Sequence, residues 1–203
     1  MISQFTDVLK LNVGKELQID EVQYSRRKFY NKKGVAVNWF IDSIDTKTRF
    51  MVASEYVKSR EQKELIAVLK TVKKKTDEQF EIITSYGLLS YPKAIQKTFG
   101  LKNKSNTKKD GVEHKILNAS HGEGFNIMIE RLHNNLRQRT KTFRGFHGSV
   151  KSANTIMKGY SVFYNFITKH QALNKCPYEL ATDLKLKEEN KWLELIYKAN
   201  NIY

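Results

Sequence analysis

The amino-acid sequence predicts an α/β fold, a mixed sheet flanked by helices. Three observations lead there: strand-like segments come first, helical periodicities then alternate with short apolar runs, and the chain ends in helices.

In chain order, Leu17-Gln-Ile-Asp-Glu-Val-Gln23 alternates apolar and polar residues, as a half-buried strand does. Val35 to Ile41 and Arg49 to Ala53 have the composition of two further strands, and Thr46-Lys47 fits a hairpin turn between them. From Glu61 to Lys75, Leu65, Ile66, Val68, Leu69 and Val72 fall at helical spacing with lysines filling the remainder. Phe80 to Thr84 is a short apolar run before Gly87, consistent with a buried strand. Tyr91 to Phe99 opens on Tyr-Pro, a good helix start. The polar, basic stretch from Gly100 to Gly111 reads as a loop, and His114 to Leu117 as one more short strand. Phe125 to Lys141, Val150 to Thr168 and Glu188 to Ala199 are amphipathic helices.

A chain of 203 residues with 40% hydrophobic and 11% aromatic residues can bury one sizeable core. Its 36 Lys plus Arg against 21 Asp plus Glu give a net charge of +15. A field of that sign and size favours a polyanionic partner, nucleic acid first among them. The single cysteine, Cys176, excludes an internal disulfide and a thiolate zinc cluster. The five histidines lack ligand spacing. No apolar run approaches the ~20 residues that a bilayer requires, and the first residues lack signal-peptide features. The chain reads as soluble and cytoplasmic.

The helix from Phe125 is the most informative element. Ile129, Leu132 and Leu136 make a buried stripe, while Glu130, Asn134, Arg137 and Lys141 cluster on a separate face. Taken alone, Glu130 and its arginines read as an ion pair on a solvated helix.

Three ordered segments say more. They are Leu17-Gln-Ile-Asp20-Glu21, the run Ile82 to Ile95, and Asn126 to Phe146 with its Glu130-Arg-Leu-His and Arg144-Gly-Phe; Gly159 to His170 and Asn174 to Ala181 follow. In this order they resemble the integrase-like catalytic domain of DDE-type insertion-sequence transposases, over about Leu17 to Ala181. The resemblance implies a ribonuclease-H-like sheet, with three antiparallel strands followed by alternating helices and short parallel strands. Residues 1–16 form a lead-in and 182–203 a helical extension. It also implies strand cleavage and transfer on double-stranded DNA, at transposon ends and target, and allows a homodimer. Such in-line displacements build negative charge on the attacking and leaving oxygens, which two cations, Mg2+ or Mn2+, stabilise through carboxylate ligands. Asp20 matches the first acid and Glu130 the third, as catalytic and metal-binding residues. Arg131, Arg137, Arg139, Lys141 and Arg144 would touch DNA phosphates, or else form a solvated basic face.

The sequence departs from the family at the second acid, where Tyr86 stands in Thr84-Ser-Tyr-Gly-Leu-Leu-Ser-Tyr91. A phenol is neutral at pH 7 and is no ligand for a hard cation. Asp42 and Asp45, on or just beyond the second strand, offer no evident replacement, and Asp45 belongs with an Ile-Asp-x-x-Thr-Arg-Phe strand connection. Residues 1–16 are also too few for the upstream DNA-binding module of such enzymes. Both departures lead to the expectation of a catalytically degenerate copy. The alternatives are a non-catalytic DNA-binding remnant and an unrelated basic nucleic-acid-binding module. His133 is either close to a phosphate or a surface residue. Trp39 and Phe40 are expected in the core, Tyr160, Tyr164 and Phe166 in helix packing, and Cys176 carries no chemistry.

Overall fold

The computed structural model describes residues 1–24, 26–27, 35–77, 79–102, 111–117, 126–141 and 146–200. In chain order the elements begin with α1 (Ile2–Asp7), β1 (Glu16–Gln23), β2 (Arg26–Arg27), β3 (Val35–Ala36), β4 (Trp39–Asp45), β5 (Met51–Val57), α2 (Gln62–Thr76) and β6 (Ile82–Tyr86). They continue with α3 (Ser90–Phe99), β7 (Glu113–Leu117), α4 (Ile127–Thr140), β8 (Phe146–His147), α5 (Val150–Val162), α6 (Tyr178–Ala181) and α7 (Lys191–Ala199). A π-helical turn, Phe163–Ile167, prolongs α5.

The fold is α/β, an open five-stranded mixed sheet in the order β5-β4-β1-β6-β7 with helices on both faces. β4 runs antiparallel to β1 and to β5, whereas β6 is parallel to β1 and to β7. β2, β3 and β8 form a separate three-stranded sheet.

Alternation of side chains along a strand assigns each face of β1. Leu17 and Ile19 join Leu65, Val68, Leu69 and Val72 of α2 and Tyr91, Ala94, Ile95 and Phe99 of α3 in one buried cluster. Val22 joins Ile129, Leu132 and Leu136 of α4 with Ala153 and Met157 of α5 in the other. Asp20, two residues before Val22, therefore shares the α4 face. Leu11 from the lead-in and Leu195 from α7 belong to the first cluster, and α1 packs against α7.

The expected strand Val35–Ile41 is divided: Val35–Ala36 pairs with β2, and Trp39 begins a strand that runs on to Asp45. Asn38 marks the break, accepting the Tyr24 N–H at 2.8 Å and donating its side-chain amide to Val57 O at 3.2 Å. The third strand begins at Met51 rather than Arg49 because Arg49 has φ +61°, a turn conformation. Asp45 organises that turn, accepting from Thr48 N at 2.9 Å, from Thr48 Oγ1 at 2.5 Å and from Gly14 N at 3.0 Å. A Cβ on Gly14 would stand 2.6 Å from that of Lys47, so only glycine fits the approach.

β5 is an edge strand, and edges expose unpaired backbone groups. Two asparagines satisfy them. Asn165 accepts the Met51 N–H at 2.8 Å and donates to Met51 O at 3.0 Å. Asn154 does the same at Tyr56, at 2.7 and 3.0 Å. Residues an odd number apart in a regular strand face opposite edges. The register irregularity at Ser43/Ile44, within the paired stretch, turns both Met51 and Tyr56 outward.

Asn165→Ala orphans a buried N–H and carbonyl, so it is expected to cost about 1–3 kcal/mol in urea unfolding. Asn154→Ala, where water can reach half-buried groups, is expected to cost less. Two effects of equal size would show that burial is not what makes the clamp matter.

Candidate active site

α4 reaches its position through Gln18. The first amides of a helix lack intrahelical partners, and the side chain of Asn126, the residue before α4, supplies no cap. Instead Gln18 Oε1, from the middle of β1, accepts Met128 N at 3.1 Å and Ile129 N at 3.3 Å. The stripe Ile129, Leu132 and Leu136 then lies on the sheet, and Glu130 and His133 are carried towards β1, β4 and β6.

Three segments distant in sequence meet there. Tyr86 ends β6; its hydroxyl donates to Glu130 Oε1 and accepts Asn126 N at 3.1 Å. Burial pushes the Tyr86 phenol above its ordinary value, and the bond to Glu130 and the charge of Asp20 push the same way. The hydroxyl is therefore a neutral donor. Asp20 stands directly opposite Asp42 in the antiparallel register of β1 and β4. Asp42 is 0% exposed, and neither of its carboxylate oxygens has a hydrogen-bond partner among the described residues.

His133, 4% exposed, lies between the two acids. Its Nδ1 is 3.6 Å from Asp20 Oδ2, and its Nε2 is 3.1 Å from Asp42 Oδ2, ion-pair range without hydrogen-bond alignment. The Asp20 carboxyl is raised from 3.8 to about 7, chiefly by burial. His133 opposes this, while the charges of Glu21 and Asp42 reinforce it. Glu21 leaves on the other face, where Arg60 Nη1 meets it at 2.9 Å and Tyr91 Oη donates to it at 2.8 Å.

The structure thus brings Asp20, Tyr86 and Glu130 together and adds Asp42 and His133. His133 is neither a surface residue nor open to a phosphate. The sequence places Asp42 and Asp45 on or just beyond the second strand; both lie within it, in Trp39–Asp45. The signal was available in the hairpin register, which follows once Trp39–Asp45 is read as one strand.

The basic residues divide. Arg131 and Arg139 point along one flank of α4, Arg139 with its guanidinium 4.3 Å from the Phe163 ring centre. Arg137 acts on the Tyr24 hydroxyl, on the other flank. Lys141 is exposed at the helix end, and Arg144 lies outside the described residues. Phe40 is core as expected, packed with Tyr24, Tyr56 and Phe146. Trp39 is only half-buried, with the Arg60 guanidinium 4.3 Å from its ring centre.

The pair of divalent cations that the resemblance implies does not fit these donors. Tyr86 supplies no charge and occupies an oxygen of Glu130, and His133 stands against Asp20 and Asp42. Among the described residues no three acidic, histidine or cysteine side chains converge closely enough to hold an ion.

A carboxyl whose folded-state value exceeds its unfolded one favours the folded state at low pH, and that contribution is lost as pH rises through the higher value. For Asp20 the loss falls between about pH 4 and pH 7. Asp20→Asn is therefore expected to raise Tm at pH 8, by roughly 2–4 °C per kcal/mol in a chain of this size, with a gain that shrinks towards pH 4. A lower Tm at pH 8 would mean that the carboxylate is a stabilising partner of His133 instead. Comparison with protein-family models and with curated proteins finds no match for the chain.

Proposed function

We propose that this chain is a DNA-binding domain of the DDE-transposase type, with a ribonuclease-H-like fold and a site that no longer transfers strands. One observation carries the reading. The three positions that the resemblance assigns to acidic ligands come from β1, β6 and α4, and Tyr86 touches Glu130 while feeling the charge of Asp20. Surface residues of an unrelated basic module would have no reason to meet. The sheet order supports the same reading, with three antiparallel strands at one end and two parallel ones added beside the first.

The inactivity follows from charge. In-line displacement at phosphorus needs positive charge against the attacking and leaving oxygens. Without the second carboxylate, Asp20 and Glu130 hold no paired cations there. What remains beside Asp20 is His133 with Asp42, a set that brings no metal charge to the non-bridging oxygens of a phosphodiester. Binding rests instead on the net charge of +15 and on the arginines of α4, which would contact phosphates without reading bases.

The test is metal binding by the wild-type chain and by Tyr86→Asp. Magnesium or manganese is expected to leave the wild-type Tm unchanged and to raise that of Tyr86→Asp, since a ligand that binds only the folded state stabilises it. The wild-type chain is expected to cut no transposon-end DNA. Magnesium-dependent cleavage that Glu130→Gln abolishes would overturn the inactivity, and Asp42 would then be the acid to mutate next.

A further inference from the structure

Across α4 from the acids lies a cleft of about 910 Å³, between α4 and the segment that follows α5. Arg131, Gln138 and Arg139 line one wall, and Phe163, Thr168 and His170 the other. Arg49 reaches the same region from the β4–β5 turn, where its charge acts on Tyr164, Arg131 and His170.

Two features mark this cleft as built for an anion. The first is unspent hydrogen-bonding capacity: Thr168 Oγ1 and His170 Nδ1 of the lining, and Arg49 Nε near it, are buried without a partner among the described residues. Native structures seldom leave such groups orphaned, and three around one cleft suggest a missing acceptor. The second is uncompensated charge. The charges of Arg49 and Arg131 act against each other; burial, and then those two charges, hold the His170 imidazole below its ordinary value. Asp45, the carboxylate acting on Arg49, already spends its oxygens on Gly14, Lys47 and Thr48. An oxyanion accepting from all of them would relieve both stresses.

We propose that this cleft seats a backbone phosphate of nucleic acid, held by Arg49, Arg131, Thr168 and His170. The proposal rests on the DNA-binding reading above and gives it a location. A nucleic-acid strand is favoured over a small phosphate compound by the surroundings. The Arg139 guanidinium sits 4.3 Å from the Phe163 ring centre beside the seat, a surface on which sugar or base can rest.

The experiment compares wild type, Arg131→Ala, Arg131→Lys, His170→Ala and Lys63→Ala for affinity to a short duplex of arbitrary sequence, between about 50 and 200 mM salt. Lys63 is exposed on α2, across the sheet, and serves as the equal-charge control. Arg131 is exposed, so its replacement leaves the fold intact. Arg131→Ala is expected to weaken binding about ten-fold at low salt and to lower the salt slope by about one. Arg131→Lys should recover part of this, His170→Ala should weaken binding several-fold, and Lys63→Ala should do little.

Inorganic phosphate alone should raise the Tm of wild type and not that of Arg131→Ala. If wild type binds duplex and Arg131→Ala loses no more than Lys63→Ala, the cleft is wrong and the DNA-binding reading stands. If wild type binds no duplex, that reading falls and the nucleic-acid assignment with it, even where phosphate still protects.

Discussion

The amide of Gln18 holds the first turn of α4 against the central strand, and the whole site hangs from that attachment. A helix laid on a sheet by apolar contacts alone can slide, because one Leu or Ile fills a hollow much as another does. Two N–H groups converging on one side-chain oxygen cannot slide without breaking both bonds. With the helix pinned, Glu130 must meet Tyr86, and His133 one turn later must stand over the Asp20–Asp42 pair. The same bond discharges part of the helix's unpaired N-terminus, which the side chain of Asn126 leaves untouched.

The site is costly to keep. Asp42 is wholly buried and Asp20 nearly so, side by side on neighbouring strands, with one imidazole between them. The ring faces both carboxylates without hydrogen-bond alignment. Folded domains tolerate such strain mostly where function once required it. Tyr86 adds no charge to this group: its neutral hydroxyl donates to Glu130.

Much of this was legible in the residues. Alternation at Leu17 and Ile19, shifting phase at Asp20-Glu21 before Val22, gave the central strand, and the spacing of Leu65, Val68, Leu69 and Val72 gave the helix that covers one face. The stripe Ile129, Leu132, Leu136 gave the helix on the other. The meeting of Asp20, Tyr86 and Glu130 was foreseen through resemblance, since no local pattern can report that three distant segments converge. Asp42 and His133 escaped for physical reasons. Asp42 lies in a run, Trp39 to Asp45, that is buried along almost its whole length, so no alternation marks which of its residues meets Asp20. His133 differs from a surface histidine only in what packs over it. The small sheet of β2, β3 and β8 was equally hidden, because two-residue strands carry no period.

The asparagine clamp has a consequence for how copies of this chain can meet. Asn154 and Asn165 are eleven helical residues apart, a rise of about 16 Å, and Met51 and Tyr56 are five strand residues apart, about 17 Å. Helix and strand keep step like two scales of a vernier, so losing one residue from α5 would throw both amides out of reach. While they hold, the β5 margin is closed to any incoming strand. Among the described residues the opposite margin of the sheet is β7, where exposed Glu113 and Lys115 place opposite charges on one edge strand.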